Sequence, residues 1–193
     1  MIRRLLVLLV AGALLVFIVA PAEAHSQRGS LYSKERFNDP YSFVDRDCDF
    51  PFRVKGRSWG VAKVYNVKGS HGQAFFADNR YHFRETWKNP KNGKKAFVTG
   101  NGRFTELKAK HLRGDIWKFF AVDRVHSFKI RNAHGKVVLR EHGKIGIKTV
   151  QDTLGDSEPG SEVLKEEIVF TKGQFPTLEP DFDFCRLVDR LIG

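Results

Sequence analysis

Arg80-Tyr81-His82-Phe83-Arg84-Glu85-Thr86-Trp87-Lys88 (RYHFRETWK) alternates with a period of two. Tyr81, Phe83 and Trp87 fall on one face of a strand, and Arg80, His82, Arg84 and Lys88 on the other. The next residues, Asn89-Pro90-Lys91-Asn92-Gly93-Lys94, carry an Asn-Gly pair behind a proline, which predicts a hairpin loop. A second strand then starts at Lys95 and runs towards Lys108, with Gly100-Asn101-Gly102 marking a bend or bulge inside it.

Working outward, the same pattern predicts strands over 52–57, 60–67, 116–122, 125–131, 136–148 and 163–171. Asn132-Ala133-His134-Gly135 reads as a hairpin turn, and the polar stretch DTLGDSEPGS from Asp152 to Ser161 as a longer loop. Only the end looks helical. Phe184, Leu187, Val188 and Leu191 form one stripe, with Asp181 or Asp183 available as the N-cap. Short strands joined by tight turns predict a mainly β fold, a single antiparallel β-barrel or β-sandwich of about eight strands with a short C-terminal helix, over 48–193. Residues 25–47 are polar with scattered aromatics and show no regular element, so they read as a partly disordered extension.

Residues 1–24 read as a secretory signal peptide: Arg3-Arg4, an apolar run from Leu5 to Ala20, and an Ala22-Glu23-Ala24 ending. The apolar run spans about 24 Å as a helix, short of a bilayer core of roughly 30 Å, which favours cleavage after Ala24 over an anchor. Of 33 basic and 22 acidic residues, cleavage removes Arg3, Arg4 and Glu23, leaving 31 and 21, a net +10. A basic secreted or extracellular chain attracts acidic polymers, nucleic acid or an anionic membrane surface, unless the charge serves only solubility.

Cys48 and Cys185 are the only cysteines, and in an exported chain they predict one disulfide. Closing a loop of about 137 residues stabilises a fold by roughly 5 kcal/mol before strain is subtracted. That bridge would draw Asp45, Asp47, Asp49, Asp181 and Asp183 together, either as oxygen ligands for calcium or as partners of Arg46, Arg53 and Arg186.

Two binding readings follow, and no cofactor is called for. Trp59, Tyr81, Phe83, Trp87, Trp117 and Phe119 either line an interior pocket for a small apolar ligand or fill the core. Arg80, Arg84 and Lys88, with Arg53, Lys55 and Arg57 repeating the alternation, form either a polyanion track or a plain solvated face. Base stacking needs exposed aromatics beside the charges, whereas Tyr81, Phe83 and Trp87 lie on the opposite face. Arg113-Gly114-Asp115 is an adhesive tripeptide that ordinary turn chemistry also explains. No H-E-x-x-H, P-loop, dinucleotide fingerprint or G-x-S-x-G occurs, so a secreted hydrolase would need a site without a known motif.

Cys48-Asp49-Phe50-Pro51, the Asn89-Pro90-Lys91-Asn92-Gly93-Lys94 turn, Lys172-Gly173-Gln174-Phe175 and Phe184-Cys185-Arg186-Leu187 together resemble uncharacterised secreted β-domain proteins of actinobacteria. That resemblance, from about Cys48 to Leu191, implies export and a β architecture. It implies no activity.

Overall fold

The computed structural model describes residues 27–193, so the leader expected over 1–24 lies outside the described residues. Seven strands follow in chain order: β1 (Arg28–Asp45), β2 (Phe52–Val67), β3 (Phe75–Lys88), β4 (Lys95–Arg113), β5 (Ile116–Arg131), β6 (Val137–Asp152) and β7 (Glu162–Gln174). A short 3₁₀ turn (Pro176–Leu178) and helix α1 (Phe184–Ile192) complete the order. Each strand pairs antiparallel with its sequence neighbour, giving one sheet in the order β1 to β7, open between its two edge strands.

The strands are fewer and longer than their sequence signals. The pieces expected over 52–57 and 60–67 are one strand, β2, because Gly60 lies inside the ladder opposite Tyr81. A Cβ at Gly60 would run into the carbonyl of Arg80, so this close approach of backbones requires glycine. The pieces over 116–122 and 125–131 are likewise one strand, β5, which bulges between Val125 and Phe128. At Gly100-Asn101-Gly102, where a bend or bulge is expected, β4 runs on in register against β3; the slip opposite it belongs to β5, whose His126 is the extra residue between Val125 and Ser127. There the Phe83 ring lies over Gly100, filling the space a side chain would take. Such glycines and bulges let a sheet coil strongly.

The segment 28–45, in which no regular element is legible, is the first strand. It is an edge strand whose side chains are largely exposed on both faces, so it has no buried set to impress a period of two on the sequence.

Two apolar clusters hold the sheet. The larger joins Phe52, Val54, Trp87, Ala96, Val98, Ile130 and Leu139 to Leu187, Val188 and Ile192 of α1. The smaller joins Val67, Ala74, Phe76, Ala109, Trp117 and Phe119. Along β2 and β3 the two clusters use residues of opposite parity, Phe52, Val54 and Trp87 in the larger and Val67 and Phe76 in the smaller.

Helix α1 is fastened at both ends. Asp183 caps its start, accepting from the Arg186 N–H at 2.9 Å, and Cys185 is bridged to Cys48. At its end Asn89 Nδ2 donates to the Ile192 carbonyl at 2.9 Å, and Asn92 Nδ2 to the same oxygen at 3.1 Å. The β3–β4 hairpin loop therefore serves as the C-cap of a helix distant in sequence. Among the described residues no helix is long and apolar enough to cross a membrane.

Candidate functional site

The pairing register sorts the charges of the sheet. Residues opposite each other across a ladder share a face, and faces alternate along each strand. Starting from Phe52 and Val54 in the core, one face from β1 to β5 carries Glu35, Asp39, Asp45, Glu85, Glu106 and Asp123. No Lys or Arg takes a paired position on it. The other face carries Lys and Arg, and its only carboxylate from β1 to β5 is Asp78.

The basic face is ordered in rows that cross the strands. One row runs Arg36, Val61, Arg80, Arg103, Arg124, Lys144, Lys172, one residue from each of the seven strands. The next is neutral: Asn38, Trp59, His82, Asn101, Ser127. A second cationic row follows in the order Pro40, Arg57, Arg84, Thr99, Lys129, Arg140. Beyond it Lys55, Thr86, Phe97 and Arg131 lie across the strands, and then Arg53, Lys88 and Lys95.

Two grooves open on this face. One, of about 500 Å³, is bordered by Arg36, Asn38, Trp59, Val61, Arg80 and His82. The Trp59 and His82 rings stack in it, 5.6 Å apart and within 8° of parallel. The other, of about 470 Å³, is bordered by Lys55, Arg57, Arg84, Thr86, Phe97 and Thr99. Phe97 is exposed there.

Asp78 belongs to the framework. Arg103 grips it with two charge-assisted bonds, Nε to Oδ1 at 2.7 Å and Nη2 to Oδ2 at 2.6 Å. Arg28 adds a third at 3.4 Å while stacking on the Tyr65 ring. Burial alone would raise the Asp78 pKa, but Arg103 and then Arg28 and Lys63 hold it below the usual carboxylate range. Arg103 is thus neutralised within the protein. Arg36, Arg80, Arg124, Lys144 and Lys172 have no carboxylate partner among the described residues.

Arg80, Arg84 and Lys88 are all exposed on this face, as their alternation predicts. Trp59 was expected beside the apolar candidates, yet it sits among the cations. Its parity with Arg53, Lys55 and Arg57 was the available signal. The other aromatic candidates are not brought together in one cavity. Trp87 is in the larger cluster, with its indole N–H donating to Glu85, and Phe83 packs beside that cluster against Phe128. Trp117 and Phe119 are in the smaller cluster. Tyr81 donates to Asp123 at 3.0 Å, and Tyr41 to Glu85 at 2.7 Å. Burial, with the accepting carboxylate added, raises both tyrosine pKa values. Burial also raises that of Asp123, against the pull of Tyr81 and His126.

The disulfide joins Cys48 to Cys185 as expected. Around it, Asp45 accepts from the Asp47 N–H, Asp183 caps α1 and stands 3.7 Å from Arg186, and Asp47, Asp49 and Asp181 are exposed. Among the described residues no three His, Cys, Asp or Glu side chains form a group able to hold a metal ion.

One buried carboxyl was not legible in the sequence. Beyond the Asp78–Thr105 pair the β3–β4 ladder stops, and Glu106 takes its place: its Oε2 accepts the Ala77 N–H at 2.7 Å and its Oε1 the Gln151 Nε2 at 3.4 Å. Burial lifts the Glu106 pKa to about 7, although both hydrogen bonds pull it down.

Comparisons with protein-family models, with curated proteins and with solved structures find no match to this chain.

Proposed function

We propose that the protein is an exported, disulfide-closed binding module that holds an extended polyanion on the basic face of its sheet. The observation that carries this reading is the register itself. It sets Arg80, Arg103, Arg124, Lys144 and Lys172 directly opposite one another on successive strands. Like charges so placed destabilise a sheet, and among the described residues only Arg103 of these five has a carboxylate partner. An anionic ligand supplies the missing compensation. Export is supported by the disulfide and by the leader pattern of residues 1–24.

The test is retention on immobilised polyanion, heparin or polyphosphate, through a salt gradient. A module that binds through the rows stays bound well above about 0.15 M salt, and its affinity falls steeply on a log–log plot as counterions are released. Replacing Arg80, Arg124 and Lys144 together by Gln makes that slope shallower by roughly the number of contacts removed. Elution at or below about 0.15 M, with a slope the triple variant does not change, would reduce the face to unspecific charge.

A further inference from the structure

The arrangement of the rows says more than their charge. The neutral row Asn38–Trp59–His82–Asn101–Ser127 lies between the Arg80 row and the Arg84 row. Adjacent rows are two residues apart along the strands, about 6.7 Å, so the cationic rows stand about 13 Å apart with the neutral row midway. That middle row offers amides and a hydroxyl, which bond to hydroxyl groups, and the flat sides of a stacked ring pair, which suit the C–H faces of a sugar ring.

We infer that the polyanion is an acidic glycan, a polysaccharide bearing sulfate or carboxylate groups. It lies across the strands over the neutral row and reaches the cationic rows on either side. This rests on the polyanion reading above and specifies its ligand. A glycan chain projects substituents to both sides of its axis, so it uses both cationic rows. A single-stranded nucleic acid presents one line of phosphates and binds through a succession of aromatic platforms. Here the neutral row holds a single ring stack, and Phe97 lies two rows away.

The experiment is titration calorimetry of the intact protein at about 0.15 M salt with four probes: a heparin octasaccharide, a polyphosphate and an oligothymidylate of matched charge, and phosphatidylglycerol vesicles. The octasaccharide is expected to bind at least about tenfold more tightly than the others, a difference of about 1.4 kcal/mol. Trp59→Ala is expected to abolish that preference by lowering octasaccharide affinity at least about tenfold more than polyphosphate affinity. Arg80→Gln with Arg84→Gln is expected to weaken both. Because Trp59→Ala can disturb the fold, His82→Ala and Asn38→Ala, at exposed positions, serve as a second pair, each with its melting temperature recorded. They too should lower octasaccharide affinity selectively. Equal affinity for all polyanions, or a preference for oligothymidylate or vesicles, overturns the glycan inference and leaves the polyanion reading standing. Failure to bind any probe overturns both.

Discussion

Two buried carboxyls pull stability in opposite directions with pH. Asp78 has a depressed pKa in the fold, so its contribution is present above the unfolded value of about 3.8 and is lost as pH falls through its folded pKa. Glu106 has a raised one, about 7. Between about 4.5 and 7 the folded protein keeps a proton that the unfolded chain has released, so stability falls as pH rises through that window. The expected result is greatest thermal stability near pH 5, with a loss on the order of 3 kcal/mol by pH 8. Glu106→Gln keeps an acceptor for the Ala77 N–H and removes the alkaline decline; melting curves at pH 5 and pH 8 measure the difference. An undiminished decline in that variant assigns it to another group. Neither residue could have been picked out from the sequence, because the partners that bury them come from other strands. Arg80, Arg84 and Lys88 could be, since alternation within one strand suffices to place them.

Helix α1 and the Asn89–Lys94 hairpin loop were both legible as elements, but not as partners. The signals for a turn and for an amphipathic stripe are local, whereas the bonds from Asn89 and Asn92 to Ile192 join residues about a hundred positions apart. Asn89 is buried, and its loss leaves the Ile192 carbonyl with the longer bond from Asn92 alone and the Lys91 N–H without its side-chain acceptor. Asn89→Ala is therefore expected to cost about 1–2 kcal/mol, read from urea denaturation. Reducing the Cys48–Cys185 bridge should cost more, roughly 2–5 kcal/mol. It should loosen α1 first, visible as faster amide exchange at Leu187 and Val188 while the central strands stay protected. Uniform exchange throughout would mean that helix and sheet open as one unit. The first strand escaped the sequence reading for the opposite reason: it is regular in backbone but has no buried side from which a pattern could arise.

Among the described residues, β1 to β5 gather cations on one face of the sheet and carboxylates on the other, so each face repels itself. Most stabilising contacts are apolar and lie away from the basic rows, so screening should help the free protein more than it harms its few ion pairs. Raising salt from about 0.01 to 0.1 M shortens the Debye length from roughly 30 to 10 Å, and the melting temperature of the ligand-free protein is expected to rise by a few degrees. Arg124→Gln, at an exposed position, should give part of that rise at low salt alone. A melting temperature that falls with salt would show that attractive pairs dominate. The mainly β class was readable from alternation and turn residues, but the merging of short pieces into seven long strands was not. That depends on glycines and bulges accommodating close neighbours, a property of the assembled sheet.

The first cationic row takes one residue from every strand and runs along the hydrogen-bonding direction. Its span is therefore the width of the sheet, about 29 Å for seven strands at roughly 4.8 Å spacing. A polymer laid beside it, over the neutral row, leaves the sheet at its edges, where a second molecule takes up the same chain. The protein would then act as a ruler, occupying a long polymer at a repeat set by how many strands it has.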